Sequence, residues 1–372
     1  MSHICHHPWV GLEINPQGEF RPCCKYTSSL ADNLTDYLAS SELSTLKEEF
    51  LSGNKPEGCR YCWDDESAGI KSKRQLDNEY LFNYQDLNHN SLKVLSLSFG
   101  NSCNLACRMC DSSSSSTWII EEEKLKKDFP AIKIHQHQRF YQNTKFIDEI
   151  KAISDSVVHV EFPGGEPFLA GVDEHLNFLD FLISKNPQDI SLHYMTNATV
   201  FPKSDFWDRW EKFKKVDIQL SIDGIGSHFE YIRWPGKWST VENNVKLYVD
   251  KKDDVSNLKL SISHSVSIFN VYYLPEFVKW CLQNKLDMPY LGLVSDPKMY
   301  NIKNLPTAVK NAISEKISRF KFENIVSYMY EEDLSADANW QITEILDQNR
   351  KQNFKETFPE FSQLLKEAEC QI

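Results

Sequence analysis

From about residue 92 onward, stretches that alternate apolar and polar positions take turns with stretches of helical periodicity. Strands are predicted over 93–99, 157–162, 190–196, 216–222, 258–266 and 289–294, and helices over 173–185, 203–214, 241–251 and 274–284. Repeated strand–helix units imply a parallel sheet with crossover connections. Ile218, Leu220 and Ile222 share one strand face, while Asp217, Gln219, Ser221 and Asp223 share the other. Leu260 and Ile262 oppose Ser261, Ser263 and Ser265 in the same way, and Leu95 and Leu97 oppose Ser96 and Ser98. A sheet covered by helices on both faces would read as continuous apolar runs. One polar face implies a sheet curved around a wet lumen, with helices on the outside only. The predicted fold is therefore α/β, a partial (β/α)6-type parallel barrel over residues 86–300.

Two further segments flank it. Residues 1–85 read as a small, separate, cysteine-rich α+β module. In it, two short strands surround the Asn15-Pro16-Gln17-Gly18 turn. A helix comes next, with Ser41 as N-cap, Leu43, Leu46 and Phe50 on its apolar stripe, and Gly53 as its stop. Residues 301–372 form a helical C-terminal extension, with helices predicted near 306–318, 338–350 and 358–368. The sequence assigns this tail no function.

Composition removes several classes. Of 372 residues, 41% are hydrophobic and 12% aromatic, enough to bury a core and exclude wholesale disorder. Acidic side chains outnumber basic ones, 53 to 41, for a net charge of −12. That balance argues against nucleic acid as a partner, because such binding rests on neutralising phosphates. No run approaches the roughly 20 apolar residues of a membrane span, and MSHICHHPW has no apolar signal core. A cytoplasmic protein without a membrane partner is expected.

Eight of the ten cysteines crowd into the first third, at positions 5, 23, 24, 59, 62, 103, 107 and 110. Disulfide frameworks belong to small secreted chains, so clustered thiols here point to metal. Cys103, Cys107 and Cys110, spaced C-x3-C-x2-C, come directly after a predicted strand. Three thiolates on one tight loop would leave one iron of a 4Fe–4S cluster open to a substrate or cofactor, whereas an electron-carrying cluster takes four. Zinc sites more often pair C-x2-C with a second, distant pair.

This loop resembles the signature of the radical S-adenosylmethionine (radical SAM) superfamily, and later segments match that family in order over about 92–295. Gly164-Gly165-Glu166-Pro167 resembles the GGEP element, whose backbone and carboxylate are expected to hold the methionyl amino group. Thr196-Asn197-Ala198 resembles the TNG element, with Ala198 in place of the usual glycine. Ser221-Ile222-Asp223-Gly224 resembles the SxDG element near the ribose. Arg233, in YIRWPG, stands where the family commonly places an arginine that pairs with the SAM carboxylate. Met109 stands where an aromatic residue is common, and its thioether could pack on the adenine.

Cys5, Gly18 and Cys23, at C-x12-G-x4-C, resemble the opening of the SPASM/twitch auxiliary-cluster modules, here preceding the barrel instead of coming after it. Cys5, Cys23, Cys59 and Cys62 could supply four thiolates to an auxiliary 4Fe–4S cluster, with Cys24 turned away. A structural Zn(Cys)4 site is the alternative that spacing leaves open.

The resemblance implies an enzyme that reductively cleaves S-adenosylmethionine to a 5′-deoxyadenosyl radical, which takes hydrogen from a substrate. That substrate is expected to be a peptide or protein side chain undergoing crosslinking, epimerisation or oxidation. The auxiliary cluster would relay electrons, and an external one-electron donor such as flavodoxin or ferredoxin would reduce the system. Dehydrogenation or rearrangement of a small sugar-like metabolite is the second reading, and a non-catalytic metal-cluster scaffold the third. No extra winged-helix leader-binding domain is expected at the N-terminus, which weakens the peptide reading and leaves it open. The resemblance assigns no catalytic acid, base or hydrogen donor.

Other residues read more plainly. Glu66, Lys71 and Arg74 are expected to solvate a helix, Cys281 to pack in the core, and Cys370 to be incidental. His159 and His193 are expected to face the lumen, and the insertion 119–145 is left as either cavity mouth or surface loop.

Overall fold

The computed structural model describes residues 3–80, 91–320, 322–332, 334 and 340–368. Its frame is one eight-stranded, mostly parallel sheet in the order β2-β1-β3-β4-β5-β6-β7-β8. The strands are β1 (Gly11–Ile14), β2 (Phe20–Arg21), β3 (Val94–Leu97), β4 (His159–Phe162), β5 (Ser191–Thr196), β6 (Lys215–Ser221), β7 (Leu258–Val266) and β8 (Tyr290–Leu293). Strands β3 to β8 are the six predicted ones, each paired in parallel with the next. The order has two ends, at β2 and β8.

The N-terminal hairpin forms as expected, with Glu13 opposite Arg21 and Ile14 opposite Phe20. Its turn closes because Asn15 Oδ1 accepts from the amides of Gln17 and Glu19, and Gly18 takes φ +82°, where a side chain would be strained. β1 then pairs in parallel with β3, so the hairpin extends the main sheet. The expected boundary at 85–86 falls outside the described residues.

The helices that pack on the sheet or against the cysteine-bearing segments include α1 (Ser41–Leu51), α2 (Arg60–Ser67), α3 (Lys73–Tyr80), α4 (Trp118–Leu125), α5 (Thr144–Ile153), α6 (Val172–Ile183), α7 (Ser204–Trp210), α8 (Trp238–Asp254), α9 (Leu274–Gln283) and α10 (Trp340–Arg350). The N-cap of α1 is Ser40, not Ser41: the Ser40 hydroxyl accepts from the Leu43 amide, three residues on. Two tail helices lie where predicted, Thr307–Ile317 and Pro359–Glu367, and α10 begins at the first described residue of its segment.

Alternation decides what each sheet face does. Val216, Ile218 and Leu220 of β6 are fully buried, while Asp217, Gln219 and Ser221 between them stay half-buried. The apolar face packs under Phe178 and Leu182 of α6, Trp210 of α7, Val245 of α8 and Cys281 of α9, in one continuous core. Each such side chain contributes roughly 1.5–3 kcal/mol on leaving water. Tyr194 is buried there too, its hydroxyl accepting from Trp210 Nε1 at 3.2 Å and sitting 3.0 Å from His175 Nε2.

The polar face carries a row. Cross-strand registers place Arg21, Glu13, Ser96, Glu161, His193, Asp217 and Lys259 side by side across β2, β1, β3, β4, β5, β6 and β7. α3 meets the row through Lys73, whose Nζ lies 2.5 Å from Glu161 and 2.9 Å from Asp77. Burial opposes charge on both Lys73 and Glu161. Asp77 and Glu161 outweigh it for Lys73, whose pKa rises, and Lys73 does so for Glu161, whose pKa falls well below the usual range.

Candidate functional site

Parallel strands bring their C-terminal ends to one edge of a sheet, where loops can meet. The loops after β3, β4, β5 and β6 do so here, and they carry Cys103, Glu166, Asn197 and Asp223. Close packing of the first two loops needs glycine. A Cβ at Gly164 would lie 2.0 Å from Ser98 Oγ, and one at Gly165 (φ +57°) would lie 2.4 Å from the Ser102 carbonyl oxygen.

Glu166 is buried, and both carboxylate oxygens already accept. Oε1 does so from Thr196 Oγ1 at 2.7 Å and from the Phe168 amide at 3.4 Å, and Oε2 from the Asn197 amide at 2.8 Å. Its pKa rises to about 7, because burial outweighs those hydrogen bonds. The carboxylate thus braces the end of β5, and Oε2 keeps a lone pair for a further donor. Pro167 comes next, its carbonyl facing His175 Nδ1 at 3.4 Å.

Asn197 reaches across to the cysteine loop. Its Nδ2 donates to Asn104 Oδ1 at 3.0 Å and lies 3.7 Å from Cys103 Sγ. Ala198, in the glycine position of the TNG pattern, adopts φ +60°, the left-handed conformation that favours glycine.

Asp223 and Arg233 form a buried ion pair, Nε to Oδ2 at 2.6 Å. Arg233 Nη1 lies 3.7 Å from Cys107 Sγ. Burial works against the Arg233 charge, but Asp223 and the Cys107 and Cys110 thiols hold its pKa above the usual value. Ser221 is half-buried on the polar face, and Met109 is half-buried against the cluster containing Tyr231, Ile232 and Phe269. The neighbouring Cys110 thiol holds Cys107 below its usual pKa, and Cys110 in turn is held above its own. Burial pushes Cys103 up to about 12.

Cys5, Cys23, Cys59 and Cys62 line a single small pocket, together with His7, Lys25, Lys73 and Arg74. Cys24 is not among its lining residues; its electrostatic neighbours include Lys73, Glu13 and Glu161. Burial raises the four cavity thiols, Cys59 to about 12. Among the described residues, no three His, Cys, Asp or Glu side chains converge closely enough to hold a single metal ion. The donor sets still suit iron–sulfur clusters: three soft ligands on one loop, and four around one cavity edged by three basic side chains. A cubane spreads its ligands over separate corners instead of converging them on one point.

Glu66 and Arg74 do not solvate a helix. Arg74 is buried, donates to both Glu66 oxygens at 2.9 and 2.8 Å and to the Ile4 carbonyl at 2.9 Å, and stacks on Trp63. Lys71 is exposed and pairs with Glu79. His159 and His193 share the polar face with ring centroids 6.4 Å apart, and Cys281 is fully buried. Cys370 lies outside the described residues. The insertion 119–145 lies against the cysteine loop: His137 Nε2 is 2.8 Å from Ser102 Oγ, and Asn101 Nδ2 donates to the Gln136 carbonyl at 3.0 Å. Sequence reasoning missed Asn104, Lys73 and Arg108. Only Arg108 carried a signal, as a long cation inside a tight loop between two cysteines.

No protein-family model matches this chain, and no curated protein matches its sequence. Among solved structures, it is similar to native anSMEcpe with bound AdoMet, at 18% identity and TM-score 0.45 over 62% of each chain. It is also similar to native anSMEcpe with bound AdoMet and Kp18Cys peptide, at 18% identity and TM-score 0.41 over 55% of this chain and 52% of that one. Streptococcus suis SuiB bound to precursor peptide SuiA matches at 16% identity and TM-score 0.40, over 72% of this chain and 61% of that one. The chain thus spans between 52% and 62% of these solved chains' lengths. No described helix is long and apolar enough to cross a membrane.

Proposed function

We propose that this chain is a radical SAM enzyme that acts on a peptide or protein side chain by crosslinking, epimerisation or oxidation. The observation that carries the proposal is that two separate segments meet the cysteine loop. Asn197 from the end of β5 and Arg233 from the segment beyond β6 each bring a side-chain nitrogen to 3.7 Å from a loop thiol. When bound, a 4Fe–4S cluster with S-adenosylmethionine at its open iron supplies a 5′-deoxyadenosyl radical, the hard chemistry that no side chain here provides.

The protein's share is to bind and position. Cys103, Cys107 and Cys110 would hold the cluster, and their raised or shared protons would leave on metal binding. Arg233, anchored by Asp223, would present its free guanidinium edge to the SAM carboxylate. The Gly164–Pro167 turn would present its backbone and the spare lone pair of Glu166 Oε2 to the amino group. Asn197 and Ser221 would flank the nucleoside, and Met109 the adenine. The half-buried polar face would receive the substrate.

Cys5, Cys23, Cys59 and Cys62, within residues 1–85, would hold a fully ligated auxiliary cluster that accepts an electron. A flavodoxin- or ferredoxin-like donor would supply the first. The test is metal content after anaerobic reconstitution: about eight irons per chain for two cubanes. About four irons with one zinc would restrict the reading to the barrel cluster, and no iron retained by the 103–110 loop would overturn it. Cys59→Ala with Cys62→Ala should remove half the iron and leave SAM binding intact.

A further inference from the structure

The tail, residues 301–372, is the one large part of the chain that the proposed function leaves without a task. Its contacts with the cysteine loop are of an unusual kind. Arg108, between Cys107 and Cys110, is fully buried, with its guanidinium 3.7 Å from the Tyr231 ring centroid. It donates through Nε to the Tyr231 carbonyl at 3.2 Å, and through Nη2 to Asp347 and to Gln352 Oε1 at 3.1 Å. Arg350, at the end of α10, is buried equally deeply and points the other way. Its Nε lies 2.9 and 3.0 Å from the two oxygens of Glu121 in α4, and its Nη2 donates to the Ala106 carbonyl at 2.9 Å.

The same stretch of tail also holds the segment that carries Arg233. Gln352 Nε2 donates to the Glu230 carbonyl at 3.0 Å, and the Arg350 guanidinium lies 5.0 Å from the Trp234 ring centroid. From its other side the loop is stitched to that segment by backbone bonds, Ala106 N to the Trp234 carbonyl at 2.6 Å and Arg108 N to the Ile232 carbonyl at 2.8 Å. The loop is therefore threaded between residues 230–234 and the tail, and the tail grips both.

We propose that α10 and the turn after it are a positioning clamp, which sets the cysteine loop and Arg233 in register through the opposed pairs Arg108–Asp347 and Arg350–Glu121. A tail that only covered apolar surface would do so with apolar side chains, since burying a guanidinium is costly unless it is paired. What the two buried guanidinium groups add is directional geometry: Arg350 meets both oxygens of Glu121 through Nε and Nη2, and Arg108 divides its donors among Asp347, Gln352 and the Tyr231 carbonyl. The consequence for the site, that the clamp fixes the Arg233-to-Cys107 approach and so SAM binding, rests on the proposed function. The ordering of the loop itself does not.

The test uses the full chain in two states. In the metal-free chain, each cysteine is alkylated by iodoacetamide and its rate read by peptide mass spectrometry. Asp347→Asn should speed alkylation of Cys103, Cys107 and Cys110 by about tenfold and leave Cys5, Cys23, Cys59 and Cys62 unchanged. In the reconstituted chain, the same substitution should weaken SAM binding by about tenfold at unchanged iron content. Gln352→Ala, which leaves both ion pairs in place, should show the same selectivity to a smaller degree and serves if Asp347→Asn does not fold. Equal acceleration at all seven cysteines would make the tail a general stabiliser and overturn the proposal, as would unchanged loop alkylation in a folded variant. If the reconstituted native chain binds no SAM, the proposed function fails, while the metal-free alkylation pattern still decides the clamp.

Discussion

Lys73 Nζ lies 2.5 Å from Glu161 Oε1, and that contact joins the lining of the four-cysteine cavity to the polar face of the sheet. Both residues are largely withdrawn from water; Glu161 keeps its charge chiefly through Lys73, and Lys73 keeps its own through Asp77 and Glu161. Lys73→Met should destabilise the chain by about 3–5 kcal/mol, the usual cost of leaving a buried ion without its partner. Lys73→Met with Glu161→Gln should recover most of that loss. Urea unfolding at constant slope measures both. A double variant no more stable than the single one would show that Lys73 stabilises through Asp77 instead.

The raised pKa of Glu166, about 7, makes a prediction about pH. The folded chain then binds a proton at Glu166 that the unfolded chain releases near its ordinary value of 4.5. Stability should accordingly fall as pH rises between those two values, by up to about 1.4 kcal/mol per pH unit, and level off above. Glu166→Gln should flatten that slope in the metal-free chain. Parallel profiles for the two proteins in urea unfolding from about pH 5 to about pH 8 would show that Glu166 is not the group responsible.

Arg233 separates binding from folding less cleanly than its motif suggests, because it neutralises buried Asp223. Arg233→Ala should weaken SAM binding by about 1.5–3 kcal/mol and also destabilise the fold by several kcal/mol through the stranded carboxylate. Arg233→Ala with Asp223→Asn should restore much of the stability and none of the affinity. Equilibrium dialysis and urea unfolding read the two effects apart. Unchanged SAM affinity in the double variant would place Arg233 outside the binding site.

The six parallel strands were legible because alternation is a local signal. Asp217, Gln219 and Ser221 announced a polar face wherever β6 was read, and its partners came from the strand order. The N-cap of α1 was off by one residue because Ser40 and Ser41 are both capable caps, and only the backbone of Ser40 is extended. Glu66 and Arg74 looked like surface charges because what buries them is remote or unpatterned: the Ile4 carbonyl, 70 residues away, and the Trp63 ring. The joining of β1 to β3 was illegible for the same reason, since register between strands so far apart in the chain leaves no periodic trace. At the candidate site, the family-like motifs named the loops that meet. They did not indicate that Glu166 would be occupied by Thr196 and Asn197, nor that Arg108 would be gripped by the tail.

The most direct measurement is 5′-deoxyadenosine released from S-adenosylmethionine by the anaerobically reconstituted chain under dithionite, quantified by liquid chromatography. The native chain is expected to release it, and a chain with Cys103, Cys107 and Cys110 all changed to Ala is expected to release none. An iron-loaded native chain that yields no 5′-deoxyadenosine, or a triple variant that yields as much as the native chain, would contradict the account.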